Sequence, residues 1–181
     1  MATPRRIWFE GALYHITTRG NNKKPIFLNE IDYIEYLKFL EEAINYYKDY
    51  KYEIICYCLM INHVHLMIKA NCEPLCALMR RINSRYAKYF NEKYGCVGHL
   101  FQGRYYSEIM KDDIQLLVAS RYVHLNPVKA NIVKSPEEYK KSSYSMLIGE
   151  EETKLINPEI IWTYFKDDNK FSRYQSFVEL Q

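Results

Sequence analysis

A chain of 181 residues with 48% apolar side chains is long enough for one domain with a full core, and its net charge of +3 is too small to announce a nucleic-acid partner by itself. The longest uncharged run, 54–68, falls short of the roughly 18 residues of a spanning helix, and Arg5 and Arg6 are followed by Trp8, Glu10 and Gly11 rather than by an apolar stretch, so neither a membrane span nor a secretory leader is expected. Cys56, Cys58, Cys72, Cys76 and Cys96 show no disulfide spacing and read as free thiols in a reducing, cytoplasmic setting.

In chain order, "ALYHITTR" (12–19) alternates as a strand, with Tyr14 and Ile16 on one face and His15, Thr17 and Arg19 on the other. "GNNKK" is a polar loop with turn chemistry. Asn29 then caps a helix to about residue 48, in which Ile34, Leu37, Ile44 and Tyr47 keep helical spacing. "YEIICYCLM" and "INHVHLMIK" read as two strands joined tightly. Over 75–90, Leu75, Leu78, Met79, Ile82, Tyr86, Tyr89 and Phe90 recur at three- and four-residue steps, the clearest helix of the chain. "YGCVGHLFQGR" is a loop and "YYSEIM" a short strand. Asp112 or Asp113 caps a last helix, expected to stop or kink at Pro127 after Leu125.

This strand–helix–strand–strand–helix–strand order is the split βαβ, or ferredoxin-like, unit: an α+β fold whose antiparallel sheet has helices on one face and a further helix after it. The pleat then sorts "MINHVHLMI" (60–68). Val64, Leu66 and Ile68 face the helices, whereas His63 and His65 share the opposite, uncovered face. Two imidazoles two residues apart on a strand can converge on one ion, although a His-x-His pair alone is weak evidence and also fits ordinary histidines on an open sheet face. Positive charge is concentrated in two stretches. Arg80, Arg81, Arg85, Lys88, Lys93 and Arg104 stand against Glu92 alone, and Arg5, Arg6, Arg19, Lys23 and Lys24 against Glu10. Both stretches suit phosphate contacts, or are simply solvated faces.

"MINHVHLMI" resembles the histidine–hydrophobic–histidine signature of the HUH single-tyrosine transposases. "RYVHLNPVKANIV" resembles their tyrosine-bearing helix, and "YHITTRGNNKKPIF" and "PEEYKKSSYSMLIG" add to the likeness, which is greatest to REP-associated tyrosine transposases. It covers roughly 8–150, so 1–150 is expected as the transposase domain and 151–181 as a C-terminal extension of unknown role. It departs at Ile61, where the family usually has proline.

The resemblance implies that His63, His65 and Asn126 hold Mg²⁺ or Mn²⁺ and that Tyr122 is the nucleophile. It also implies a metal-dependent endonuclease and strand transferase acting on single-stranded DNA beside hairpins, through a covalent 5′-phosphotyrosine. Tyr122 and Asn126, four apart, share one helix face. A phenol of pKa about 10 is a poor nucleophile at neutral pH, so the phosphate must be activated. Arg19, Asn22, Lys23, Lys24, Arg80, Arg81, Arg85 and Arg104 are candidates for DNA contact, with Tyr105 and Tyr106 for stacking. His15 is a supporting candidate behind the histidine pair, and His99 and His124 read as surface or loop residues.

Competing readings stay open. Tyr122 is one of 18 tyrosines and can flank a core side formed by Ile114, Leu117, Val118 and Leu125. Asn126 before Pro127 can cap a following helix. Cys56 and Cys58 can pack, or join the histidines around zinc. The alternatives for the whole protein are a catalytically silent nucleic-acid-binding module and a zinc hydrolase. A monomer and a homodimer both remain open.

Overall fold

The computed structural model describes residues 7–165 and 168–180; Arg5 and Arg6 lie outside the described residues. Strands β1 (Ala12–Arg19), β2 (Tyr52–Met60), β3 (His63–Ala70) and β4 (Tyr106–Ile109) form one antiparallel sheet in the order β2-β3-β1-β4. Helix α1 (Glu30–Tyr46) lies between β1 and β2, and α2 (Cys76–Tyr94) between β3 and β4, which makes the α+β split βαβ order expected. Helix α3 (Asp113–Lys129) follows β4. The two-residue connection Ile61–Asn62 pairs Met60 with His63, and the Ile61 carbonyl accepts from the backbone N–H groups of Ile26 and Phe27.

The helices start where the caps predict. Asn29 and Asp32 form a reciprocal capping box at α1, and the Asp112 carboxylate accepts from the Gln115 N–H at 2.8 Å. Helix α2 buries Leu78, Met79, Ile82, Tyr86 and Phe90 and ends at Gly95, whose φ of 61° suits glycine. The buried face of α1 is Tyr36, Phe39, Leu40 and Ala43 rather than one containing Ile34, which is 61% exposed. Tyr14, Ile16, Val64, Leu66 and Ile68 pack on the α1/α2 side of the sheet.

The opposite face differs from expectation: α3 covers its β2–β3 half. The reason lies in β2, where every residue from Ile54 to Met60 is buried. A strand apolar on both sides must be covered twice. Three readings of α3 are corrected with it. Its buried face is Leu116, Ser120, Val123, His124 and Pro127, while Ile114 and Val118 are exposed. This helix carries apolar residues all round, so its periodicity did not identify the packed side. His124 is fully buried, not a surface residue. It lies between the Tyr174 hydroxyl (2.9 Å) and Ser143 Oγ (3.2 Å), and burial pulls its pKa down to about 3. Pro127 does not stop the helix at Leu125. It removes one N–H within the last turns, and the Ala130 N–H still reaches the Asn126 carbonyl at 3.0 Å. Asn126 therefore caps no new helix.

The chain closes with α4 (Tyr144–Leu147), α5 (Glu159–Trp162) and α6 (Lys170–Glu179). Ile156, Ile161, Tyr174 and Val178 join the same core, and Arg121 donates to the carbonyls of Val178 and Leu180. Helix α6 and the residues at its end thus brace the back of α3. Among the described residues no helix is long and apolar enough to cross a membrane.

Candidate active site

The uncovered half of the sheet carries the candidate side chains because of strand register. β3 places His63 opposite Arg19 and His65 opposite Thr17 of β1, and β1 places His15 opposite Glu108 and Thr17 opposite Tyr106 of β4. Directly paired residues project to the same side, so these side chains share one floor. The His63 and His65 rings are 4.8 Å apart, and His15 stacks on His65 at 5.1 Å.

Each ligand candidate has one ring nitrogen engaged. His65 Nδ1 bonds His15 Nε2 at 2.9 Å and Thr17 Oγ1 at 3.3 Å, and His63 Nδ1 lies 2.6 Å from Asn62 Oδ1. Among the described residues, His65 Nε2 is buried without a hydrogen-bond partner. A buried polar atom left unpaired is costly, and a ring nitrogen with an unused lone pair is one that a cation could satisfy. Burial pulls the His65 pKa down to about 2, aided by His15, His63 and Arg19; burial and Arg19 pull His63 to about 4. Burial lowers His15 as well, against the opposing pull of Glu108. Neutral imidazoles are the form a metal requires.

Tyr122 reaches this floor from α3. Its ring lies 5.6 Å from that of His65 and 5.8 Å from that of His15, both edge-on, and it is 40% exposed. The Lys129 ammonium stands 5.0 Å from its centroid. Asn126 sits one turn on and is not among the residues lining the cleft. Its Nδ2 donates to the Tyr122 carbonyl at 2.8 Å, so the amide oxygen is the atom it can offer. Among the described residues no three His, Cys, Asp or Glu side chains are grouped to hold an ion. Cys58 lies opposite His65 in the ladder, but burial pushes its thiol pKa up, which disfavours the thiolate that zinc would need.

A cleft of about 870 Å³ opens over the site between β4 and α3. Arg19 and Arg104 line it, as do Tyr106 and Glu108 of β4, Met110 just after it, and Gln115, Val118 and Tyr122 of α3. Glu108 and Gln115 were not anticipated; the period-2 alternation of "YSEIM" was the available signal for Glu108. The remaining basic candidates are dispersed. Arg80 lines a second cleft of about 640 Å³, which shares Gln102, Gly103 and Arg104 with the first. Arg81 stacks on Tyr46 and Arg85 pairs with Glu42 at 2.5 Å, both on the α1/α2 side. Asn22, Lys23 and Lys24 are exposed beside the β2–β3 turn, where Asn62 holds the Lys23 carbonyl. Tyr105 is buried, whereas Tyr106 is 65% exposed.

The family model described as "Transposase IS200 like" matches residues 9–126, a span holding both histidines, Tyr122 and Asn126. The chain belongs to the IS200-like transposase family. Among solved structures, this transposase is similar to a REP-associated tyrosine transposase bound to a REP hairpin, with a TM-score of 0.66 and 15% identity over 87% of this chain and 98% of that one. That likeness bears on the fold. Two further matches are looser: a putative transposase from Deinococcus radiodurans (TM-score 0.44, 13% identity, 67% of this chain and 95% of that one) and a tRNA(His) guanylyltransferase from Saccharomyces cerevisiae (0.48, 8%, 97% and 80%). No curated protein matches the chain.

Proposed function

We propose that this transposase is a metal-dependent single-stranded DNA endonuclease and strand transferase working through a covalent 5′-phosphotyrosine at Tyr122. The observation that carries the reading is the Tyr122 ring set edge-on against His65 and His15 beneath an open cleft. His63 and His65, through their Nε2 atoms, and Asn126, through its amide oxygen, would hold Mg²⁺ or Mn²⁺; the unpaired His65 Nε2 supports this. When bound, the cation would draw charge from a phosphate oxygen and make the phosphorus more electrophilic.

The chain's own groups do the rest. Arg19 and Arg104 hold the strand's phosphates at the cleft. The Tyr122 oxygen attacks phosphorus as the bond to the 3′-oxygen breaks. The departing 3′-oxygen takes up a proton as the phenol loses its own. The 5′-phosphate is left on tyrosine and a 3′-hydroxyl is set free. Attack by another strand's 3′-hydroxyl reverses the step, so joining needs no external energy source. The Tyr122 ring packs edge-on against His65 and His15 of its own chain, which supports action in cis. The hairpin in the similar transposase structure supports hairpin-flanked DNA as substrate.

The test is incubation of native and Tyr122→Phe protein with hairpin-containing single-stranded DNA and Mn²⁺, followed by denaturing electrophoresis and mass spectrometry of the DNA-linked peptide. An adduct mapped to Tyr122 and absent from the variant is expected. The same adduct in both would assign the wrong nucleophile; none in either would favour a silent binding module.

A further inference from the structure

The cleft has two unlike sides. Arg19 and Arg104 give cationic groups suited to a phosphodiester chain, but the β4 side does not. Tyr106 and Glu108, at alternate positions on this edge strand, and Met110 just beyond its end line the same cleft. They present an exposed ring, a carboxylate and a thioether in sequence. Val118, 58% exposed, faces them from α3. Glu108 makes no hydrogen bond or ion pair among the described residues, and no three-residue metal cluster includes it. Its electrostatic neighbour is His15, opposite it in the ladder; a carboxylate repels phosphate, so its place in a DNA cleft calls for a ligand group other than the phosphodiester.

Base edges supply that partner. An aromatic ring stacks any base, and a carboxylate accepts hydrogen bonds from the amino and imino groups of an unpaired one. Guanine offers two adjacent donors, N1–H and the 2-amino group, which fit both carboxylate oxygens. Cytosine and adenine offer one amino donor beside an acceptor. Thymine offers one N–H between two carbonyls that oppose the carboxylate.

We propose that Tyr106, Glu108 and Met110 form a binding subsite for the base next to the scissile phosphate, with Tyr106 stacking it and Glu108 selecting guanine and rejecting thymine. This rests on the single-stranded DNA reading of the same cleft, and the test separates the two. Labelled strands dT₁₀-dX-dT₁₀, with X each of the four bases, are titrated into Tyr122→Phe protein with Mn²⁺, so that binding is read without chemistry. The dG strand is expected to bind at least about fivefold tighter than the dT strand, the lower end for a bidentate base contact. Glu108→Gln should erase that ratio, and circular dichroism checks that the exposed substitution leaves the fold intact. Tyr106→Ala should weaken all four strands by about fivefold or more, because stacking tolerates every base. Equal affinity for dG and dT, a ratio surviving Glu108→Gln, or unchanged affinity in Tyr106→Ala would overturn the subsite. A base preference without any adduct from the native protein would sink the nuclease reading and keep the subsite; no binding of any strand would sink both.

Discussion

Asp32→Asn tests the joint that holds α1 to α2 beneath the sheet. The Asp32 carboxylate is fully buried and accepts from the N–H groups of Leu28 (2.7 Å) and Asn29 (3.2 Å), the hydroxyls of Tyr89 (2.9 Å) and Tyr94 (2.8 Å), and Lys93 Nζ (2.7 Å). Burial alone would raise its pKa; the bonds from Lys93, Leu28, Tyr94 and Tyr89 outweigh burial and pull it from 3.8 to about 2. At about 1.4 kcal/mol per pH unit, that gap is worth on the order of 2 kcal/mol. Because the folded value lies below the unfolded one, the stabilisation is full above about pH 5 and drains as pH falls through 4 toward 2. Asp32→Asn keeps the shape, loses the charge and turns donors toward donors, so a loss of roughly 2–4 kcal/mol at pH 7 is expected. Urea unfolding of both proteins at pH 7, 5, 3.5 and 2.5 measures it. The difference should shrink steadily below pH 4. A difference as large at pH 2.5 as at pH 7 would refute the electrostatic account, and none at pH 7 would refute the network.

His63→Ala and His65→Ala should each abolish Mn²⁺-dependent adduct formation and raise the Mn²⁺ needed for half-maximal binding at least tenfold, measured by calorimetry on the purified proteins. Tyr174→Phe removes the hydroxyl partner of His124 and should cost about 1–2 kcal/mol in chemical denaturation, with faster amide exchange along α3; exchange unchanged there would argue against α6 as its brace. Gly20→Ala should destabilise by about 1–3 kcal/mol in the same assay, since an added Cβ would stand 2.2 Å from the Lys24 carbonyl oxygen and 2.8 Å from Ile26 Cγ2.

What the sequence determined by itself is local in origin. The pleat's period of two put His63 and His65 on the face away from Val64, Leu66 and Ile68, and short polar side chains at Asn29 and Asp112 marked helix starts. The motifs around the histidines and Tyr122 were sufficient for the family. Only the tertiary structure decided which side of α3 is packed, because Ile114 and Val118 are as apolar as Leu116 and Val123, and burial depends on what β2 needs covered from outside its own segment. The same long-range packing buried His124, joined His15 to His65 across two strands and set Glu108 beside them. Those pairings connect residues dozens of positions apart, where no local periodicity carries information.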